Sequence, residues 1–335
     1  MPPVDRNKPK RAKSSDSAYS LMEFMQDFPD DAACLEWLWQ TRYAVDADSG
    51  ALDSAQCPKC EQVRLFARYT TSQQRQSWTC TACGHHVHPT AGTIFHKSST
   101  SLHLWFYAMY LMTSTRCGIS AKQLERELGV TYKTAWRMFH LIRNELMTQD
   151  DEPMTGTVEM DEMYVGGKPR QSDRAKWNKL PEPYQRRQAA QKWSDARKTP
   201  VFGMVERETE KVRAQVVPST RKETLLPLIE KQIPVTATVY TDDATVYAGL
   251  HNHGFANHES VNHTAKVYVD GNVHTQTIEG FWSLVKRGIS GTHHAVSAKH
   301  LQGYLNEYVW RYNNRDLDGP AMFGLLLLRA ASPSV

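Results

Sequence analysis

Residues 157–166 have the sequence TVEMDEMYVG, in which three acidic residues interrupt an apolar, β-branched stretch. Successive side chains of a strand point to opposite faces, so Glu159 and Asp161 share one face while Met160 and Glu162 take the other. If Met160 packs into a core, Asp161 faces a cleft. A single acid at such a place is commonly a cap or a solvated turn residue, so its role depends on whether other acids converge on it.

A second acid ends another β-branched run, ATVYTDDATVY at 237–247. Both Asp242 and Asp243 stand at the predicted strand end, where the alternation of side chains does not decide which of them points inward. We prefer Asp242 as the partner of Asp161.

The third acid, Glu279, lies in HTQTIEGFWSLVKRG at 274–288, whose apolar spacing predicts a helix. Residues three, four and seven positions further along share its face. Lys286 therefore lies two turns from Glu279, well placed to hold a DNA phosphate, and Arg287 follows it.

Like charges a few ångströms apart repel and raise each other's pKa. Three carboxylates in one cleft therefore indicate a divalent cation, and oxygen ligands with open water positions favour Mg²⁺. We expect Asp161, Asp242 and Glu279 to be catalytic and to bind two Mg²⁺ ions, for which Mn²⁺ can substitute, in phosphodiester chemistry.

The predicted elements around these acids follow the order of an RNase H-like α/β domain, with a mixed five-stranded sheet flanked by helices. A basic insertion, 168–199, falls between its first two strands, and Arg186 and Arg187 are its candidate DNA contacts; a merely solvated loop is the alternative. The predicted elements are strands 157–165, 201–207, 211–217 and 235–241, helices 221–232, 243–250, 275–288 and 298–313, and extended segments within 259–269.

Four cysteines upstream have the spacing C-x₂-C-x₁₉-C-x₂-C that is typical of a zinc site. Four thiolates fill a tetrahedral shell and leave no position for water, so this Zn²⁺ is expected to be structural. The predicted ligands are Cys57, Cys60, Cys80 and Cys83. Arg64, Arg68, Arg75 and Trp78, which flank them, suit contact with phosphate and base.

Residues 118–146 predict two helices joined by a tight turn at Gly129, with Thr131 as the cap of the second helix. Such a pair is typical of a helix-turn-helix, whose second helix enters the major groove of DNA. Its exposed candidates for base contact are Tyr132, Lys133 and Arg137. An ordinary helical hairpin remains an alternative.

The 335 residues carry a net charge of only +4, so the chain as a whole does not indicate nucleic-acid binding. The sequence contains neither a secretory signal nor a run of 18 apolar residues, and six cysteines without such a signal indicate a reducing compartment. We expect a cytoplasmic, nucleoid-associated protein that does not bind membranes. The predicted divisions are a basic disordered arm (1–16), N-terminal helices (17–54), a zinc ribbon (55–92), the helix-turn-helix region (100–148), the catalytic domain (156–315) and a tail (316–335).

The sequence resembles the ISXO2-like family of bacterial insertion-sequence DDE transposases over about residues 20–315. The motifs that carry the resemblance are FPDDAACLEWLWQTRY (28–43), CPKC (57–60), CTACG (80–84), GTIFHKSST (92–100), GISAKQLERELGVTYKTAWRM (118–138), VEMDEMYVGGK (158–168), VYTDDATVY (239–247) and the stretch from TIEGFWSLVKRG to RYNNR (277–315). The family commonly has Asn where this chain has Gln276.

The resemblance implies cleavage and strand transfer of double-stranded DNA at terminal inverted repeats, with insertion into a target DNA. It also implies metal binding by Asp161, Asp242 and Glu279. Because two DNA ends are joined in one event, we expect a homodimer or higher oligomer on DNA. A catalytically silent DNA-binding regulator and an RNase H-like nuclease are the alternatives.

Overall fold

The computed structural model describes residues 19–43, 54–71, 76–115, 118–166, 171–261 and 272–332. The chain forms two compact units, one comprising Met1–Leu146 together with Asp316–Val335, and the other Met147–Arg315. The predicted basic arm, 1–16, lies outside the described residues.

The helices are α1 (Leu21–Asp27), α2 (Asp31–Tyr43), α3 (Leu102–Ser114), α4 (Ala121–Leu128), α5 (Tyr132–Leu141), α6 (Gln171–Asn178), α7 (Pro183–Arg197), α8 (Lys222–Gln232), α9 (Gln276–Gly288), α10 (Leu301–Asn313) and α11 (Gly319–Ala331). The strands are β1 (Ser54–Gln56), β2 (Val63–Thr70), β3 (Gln76–Cys80), β4 (His86–Val87), β5 (Thr157–Gly166), β6 (Lys198–Glu206), β7 (Val212–Val216), β8 (Thr238–Asp242) and β9 (His258–Val261). Single π turns, Ile142–Leu146 and Ile289–His293, extend α5 and α9, and 3₁₀ turns span Leu250–His253 and Ala298–His300.

The helices of the first unit begin and end at residues whose chemistry favours a boundary. Ser20 and Glu23 form a reciprocal capping box at the start of α1. Gly129 ends α4 in the left-handed conformation at φ 63°, and the Thr131 side chain accepts a hydrogen bond from the Thr134 amide at the start of α5. Two helices joined by a short turn therefore form where the sequence predicts them.

The core of the first unit is rich in aromatic side chains. Trp39 of α2 stacks on Trp78 of the ribbon sheet, with ring centroids 4.6 Å apart and planes 7° from parallel. Phe66 of β2 packs edge-on against the Trp39 indole. This packing joins the second helix to the four-stranded sheet β1-β2-β3-β4.

The C-terminal segment differs from the predicted tail. Asp318 caps α11, a 13-residue helix with Pro at its first turn. Phe323 of this helix is buried against Tyr110 of α3 and Phe24 of α1. Burial of the apolar face explains why MFGLLLL at 322–328 forms part of the core of this unit.

The second unit is built on a five-stranded mixed sheet with the order β7-β6-β5-β8-β9. Strands β5, β6 and β7 form an antiparallel meander, while β8 and β9 run parallel to β5. The mixed α/β sheet is confirmed. The strand that carries Asp161 is central, with a neighbour on each side.

One segment of the second unit differs from its prediction. Residues 243–250 form tight turns with hydrogen bonds between residues three apart, such as Tyr247 N to Ala244 O, and the predicted helix there is wrong. The β-branched Thr245 and Val246 disfavour a helix, and Gly249 turns the chain at φ 85°. The described part of the basic insertion 168–199 contains the helices α6 and α7.

Separate cores cover the two faces of the sheet, as the alternation in β5 predicts. Val158 and Met160 pack with Leu225 and Ile229 of α8 on one face. The other face packs against α9 and α10, through residues that include Trp282. Glu159 and Asp161 point toward this second face.

Side-chain amides cover the outer edge of β7. Gln149 pairs with both backbone groups of Ala214, Asn313 pairs with both of Val212, and Gln302 accepts from Val216 N at 2.8 Å while donating to Ala214 O at 3.1 Å. An edge strand presents unpaired backbone groups that invite pairing with another chain. Here three amides take the place of a sixth strand.

We expect Gln302→Met to lower the free energy of unfolding of this unit by about 1–3 kcal/mol, because it leaves the Val216 amide without its acceptor. The urea midpoint measured by circular dichroism tests this. Gln215→Met is the matched control, since this exposed side chain lies on the same strand; equal effects of the two variants would contradict the role of the Gln302 amide.

Candidate functional site

Asp161 occupies a partly buried position in the middle of β5, where its backbone partner on β6 is Gly203. The absence of a side chain at Gly203 matters, because a Cβ there would lie 2.2 Å from the Trp282 ring. The indole of α9 therefore rests directly on β6 beside Asp161. This close approach brings the helix that carries Glu279 onto the acidic face of the sheet.

The surroundings of Asp161 disfavour the ionised form of its carboxyl group. Burial raises its pKa to about 6, and the nearby carboxylates of Asp242 and Glu279 contribute to the rise. A backbone hydrogen bond and the Trp282 indole oppose it in part, although the indole nitrogen is buried without a partner at hydrogen-bond geometry. Asp242 and Glu279 thus lie near enough to Asp161 for their charges to raise its pKa.

Asp242 owes its position to the parallel pairing of β8 with β5. The last pair of this ladder is Glu159 with Tyr240, and Asp161 and Asp242 each follow two residues later on the two strands. Its carboxylate accepts a hydrogen bond from the Ala244 amide at 3.1 Å, while Asp243 is exposed. Asp242 also contributes to the raised pKa of Glu162.

Glu279 is exposed in the first turns of α9. The hydroxyl of Thr275, the buried residue that precedes the helix, donates to its carboxylate at 3.0 Å. Lys286 and Arg287 are exposed in the last turn of the same helix.

Two more acids near the site, Glu159 and Glu162, were given no role in the sequence predictions. Burial raises the pKa of Glu162 to about 7, with the charges of Asp161 and Asp242 adding to it, and the buried Tyr247 hydroxyl donates to this carboxylate. Glu159 is fully buried and accepts several hydrogen bonds from other elements. The alternation within β5 gave their faces but no signal for their partners.

The acidic residues offer only oxygen donors, which suits Mg²⁺ or Mn²⁺. Mutual repulsion at Asp161 is the kind of electrostatic cost that a bound cation removes. The donor set therefore fits such an ion. Over the described ranges, however, the four cysteines alone bring three or more His, Cys, Asp or Glu ligand atoms within 4.8 Å of one another.

The four cysteines come from two similar turns. Cys57 N donates to Gln62 O in the first turn, and Cys80 N donates to His85 O in the second. The fourth position after each leading cysteine is left-handed, at Glu61 (φ 54°) and Gly84 (φ 68°). The two turns bring all four thiols together.

The cluster has the dimensions of a tetrahedral metal site. Cys57 Sγ and Cys83 Sγ lie 3.6 Å apart. This is close to the edge of about 3.8 Å in a tetrahedron with Zn–S bonds of about 2.3 Å. Burial raises the pKa of Cys57, but hydrogen bonds from the backbone N–H groups of Cys60 and Lys59 outweigh it and lower the value to about 6. The cluster can therefore bind a structural metal such as zinc.

Of the predicted contact residues that flank this cluster, Arg64 is exposed, whereas Trp78 and Arg68 are engaged within the protein. Trp78 is buried against Trp39, so the prediction that it contacts a base is wrong. Arg68 makes two hydrogen bonds to the carboxylate of Glu36. Arg75 lies outside the described residues.

Comparison with known proteins connects these features. Residues 153–313 match the model of the ISXO2-like transposase domain. Over 263 residues the chain is 32% identical to an uncharacterized protein in transposable element ISH50 of Halobacterium salinarum. The matched region covers 76% of this chain and 84% of that protein. The chain belongs to the ISXO2-like transposase family. A shorter match, 31% identical over 107 residues, is to an uncharacterized transposase-like protein of Haemophilus influenzae and covers 32% of this chain and 85% of that protein.

Membership in this transposase family implies DNA binding. Several of the DNA contacts predicted from the sequence lie outside the acidic site. Tyr132, Lys133 and Arg137 are all exposed on α5. Arg187 of α7 is exposed, and its neighbour Arg186 donates to the carbonyls of Leu180 and Pro181 at the turn before the helix. Contact of these residues with DNA remains a prediction.

None of the helices in the described part of this family member is long and apolar enough to cross a membrane.

We expect the purified protein to carry about one tightly bound metal ion per chain at the cysteine cluster, because four thiolates form a complete shell. Elemental analysis of the wild type and of Cys60→Ser tests this, since the variant loses one ligand. Cys34→Ala is the control: this cysteine is buried in α2, outside the cluster. Retention of the metal by Cys60→Ser would contradict the assignment.

Asp161→Asn should stabilise the protein in buffer without Mg²⁺ or Mn²⁺. Because the pKa of Asp161 in the folded state is about 6, above its usual 3.8, ionisation costs stability as the pH rises from about 4 to 6. The gain should be about 1–3 kcal/mol at pH 8 and vanish near pH 4. Urea unfolding at pH 8 and at pH 4 measures it, with Asp243→Asn as the exposed control. Equal stability of Asp161→Asn and wild type at pH 8 would contradict the raised pKa of Asp161.

Proposed function

We propose that this chain is the DDE transposase of an insertion sequence, which binds terminal inverted repeats and catalyses Mg²⁺-dependent DNA cleavage and strand transfer. The observation that carries the proposal is the placement of the three acids: Asp161 on β5, Asp242 at the end of the parallel neighbour β8, and Glu279 on α9, which packs on the face of Asp161. All three acids fall inside the segment that matches the family model. An insertion-sequence transposase needs such a carboxylate cluster, whereas a protein that only binds DNA gains nothing from its electrostatic cost.

The topology supports an RNase H-like assignment of the second unit. An antiparallel meander followed by parallel strands, with the order β7-β6-β5-β8-β9, puts the first acid on the central strand and the second on its parallel neighbour. The helix with the third acid lies across the same face. One catalytic site at the end of the β5–β8 pair follows from this arrangement.

Asp161, Asp242 and Glu279 would hold the Mg²⁺ ions, with Mn²⁺ as a substitute. When bound, such ions activate the attacking oxygen and stabilise the departing oxygen of a phosphodiester. The residues of the chain supply position and charge. Lys286 and Arg287, exposed on the helix of Glu279, hold a DNA phosphate beside the site.

DNA recognition is assigned to the first unit. We assign α4 and α5 as a helix-turn-helix whose exposed Tyr132, Lys133 and Arg137 meet the base edges. The cysteine cluster holds a structural Zn²⁺ in a ribbon that supports this unit. Arg186 and Arg187 add phosphate contacts from α7. Arg186 also stabilises the turn before that helix, through its hydrogen bond to the Leu180 carbonyl.

The partners of the protein are double-stranded DNA carrying the terminal repeats and a target DNA. Because both ends of the element must be joined in one event, the active species is a homodimer or a higher oligomer on DNA. The reaction takes place at the nucleoid in the cytoplasm.

We expect Asp161→Ala to reduce cleavage of DNA that bears the terminal repeats by at least about 10³-fold, because one of three charge-stabilising ligands is lost. DNA affinity should stay within about threefold of wild type, since positioning contacts to phosphate supply most of it. Gel assays of cleavage with Mg²⁺ and of binding without it measure the two effects. Asp243→Ala is the matched control and should retain cleavage.

Undiminished cleavage by Asp161→Ala would refute the catalytic assignment. Tight binding of the repeats by a wild-type protein that cleaves with neither Mg²⁺ nor Mn²⁺ would instead identify a silent regulator. Preferential cleavage of RNA–DNA hybrids would identify an RNase H-like nuclease.

A further inference from the structure

Glu159 is a fully buried carboxylate two residues before Asp161 on β5. Its Oε2 accepts hydrogen bonds from the amides of Thr277 and Ile278 at 2.8 and 3.1 Å. Its Oε1 accepts from the Thr277 hydroxyl at 2.9 Å and from Arg207 Nε at 2.6 Å. A strand residue therefore supplies the cap for a helix that begins more than a hundred residues later.

These amides are the second and third of α9, the donors that a helix leaves without partners of its own. The residue before the helix, Thr275, would ordinarily cap them with its own side chain. Instead, Thr275 makes no capping hydrogen bond, and its hydroxyl donates to Glu279 Oε1 at 3.0 Å. Capping by Glu159 thus leaves Thr275 available to orient Glu279.

Arg207, the first residue after β6, connects the same carboxylate to the segment that leads into the helix. It donates to the carbonyls of Asn272 and His274 at 2.7 and 2.8 Å, and its guanidinium lies 4.7 Å from the Tyr240 ring of β8. It also lies 2.9 Å from His274 Nδ1, which must accept because a guanidinium only donates. One cation thereby ties together β5, β6, β8 and the approach to α9.

We propose that Glu159 and Arg207 are positioning residues that fix the start of α9, and that Thr275 carries this constraint to the carboxylate of Glu279 opposite Asp161. This inference rests on the proposed function, because Glu279 must be held in place only if it shares a cation with Asp161. Glu159 itself has its acceptor sites occupied by protein donors. Its role is to hold a ligand in place.

The electrostatics favour this assignment. A further carboxylate beside an acidic cluster would add repulsion if it were uncompensated. Arg207 and the positive end of α9 neutralise Glu159 from two sides. Within the described residues, by contrast, the Glu279 carboxylate accepts one side-chain hydrogen bond, from the Thr275 hydroxyl, so its other acceptor sites stay open to a cation.

The test compares Glu159→Gln with Glu206→Gln. Glu206 is a matched control because it is also buried and also accepts two backbone amides, from Thr155 and Gly156 at 2.7 and 2.8 Å. Its contacts lie at the start of β5 and within the β6–β7 turn rather than at α9. Both variants remove one buried charge without changing side-chain length.

Three readouts separate positioning from stability: Mn²⁺ affinity by titration calorimetry, amide hydrogen exchange at Thr277 and Ile278, and the Mn²⁺ concentration for half-maximal cleavage. Glu159→Gln should weaken Mn²⁺ affinity and raise this half-maximal concentration by about 10–100-fold, the range found when a residue that orients a metal ligand is removed. It should also speed exchange at the two amides. Glu206→Gln should lower the melting temperature but leave Mn²⁺ affinity within about twofold of wild type.

Thr275→Val is the second variant, because it preserves shape and leaves the Glu159 contacts intact. It should weaken Mn²⁺ affinity without faster exchange at Thr277 and Ile278. The proposal is overturned if Glu159→Gln and Thr275→Val both bind Mn²⁺ as wild type does, whatever their melting temperatures. A wild type that binds Mn²⁺ but does not cleave DNA would refute the proposed function, while the calorimetric comparison would still decide the positioning role.

Discussion

A buried carboxylate constrains the geometry of the second unit more than any other single group. Glu159 is fully buried on the central strand and accepts hydrogen bonds from Arg207 and from the first turn of α9. Leaving such a charge without partners costs several kcal/mol, so strand, turn and helix must meet in one arrangement. That arrangement determines where Asp161, two residues along the strand, and Glu279, in the helix, lie relative to each other.

Two acids on the same face of β5 have opposite electrostatic environments. Glu159 is neutralised by a cation and a helix terminus, whereas Asp161 has a pKa raised to about 6 by burial and by the carboxylates around it. The charge of Glu159 is compensated by its partners, whereas ionisation of Asp161 reduces stability. Such a division is typical of functional sites, where a local cost in stability accompanies chemical function.

Much of the fold follows from local sequence signals, and the exceptions have local or tertiary causes. The helical cap at Thr131 and the alternation along β5 both predict elements that the structure contains. The prediction fails at 243–250, where β-branched residues and a glycine form turns. The stacking of Trp78 on Trp39 was also missed, because the sequence does not say which aromatic face finds a partner.

The sequence by itself determined the family, through motifs spread over most of the chain, and the candidate acids and cysteines, through residue type and spacing. It also determined which face of β5 each acid takes, because side chains alternate at every residue. Only the tertiary structure decided that the strand of Asp242 runs parallel beside that of Asp161, and that Glu159 caps a helix 118 residues away. Strand register and hydrogen-bond partners between distant segments depend on how whole elements pack, and no local pattern in the chain encodes them.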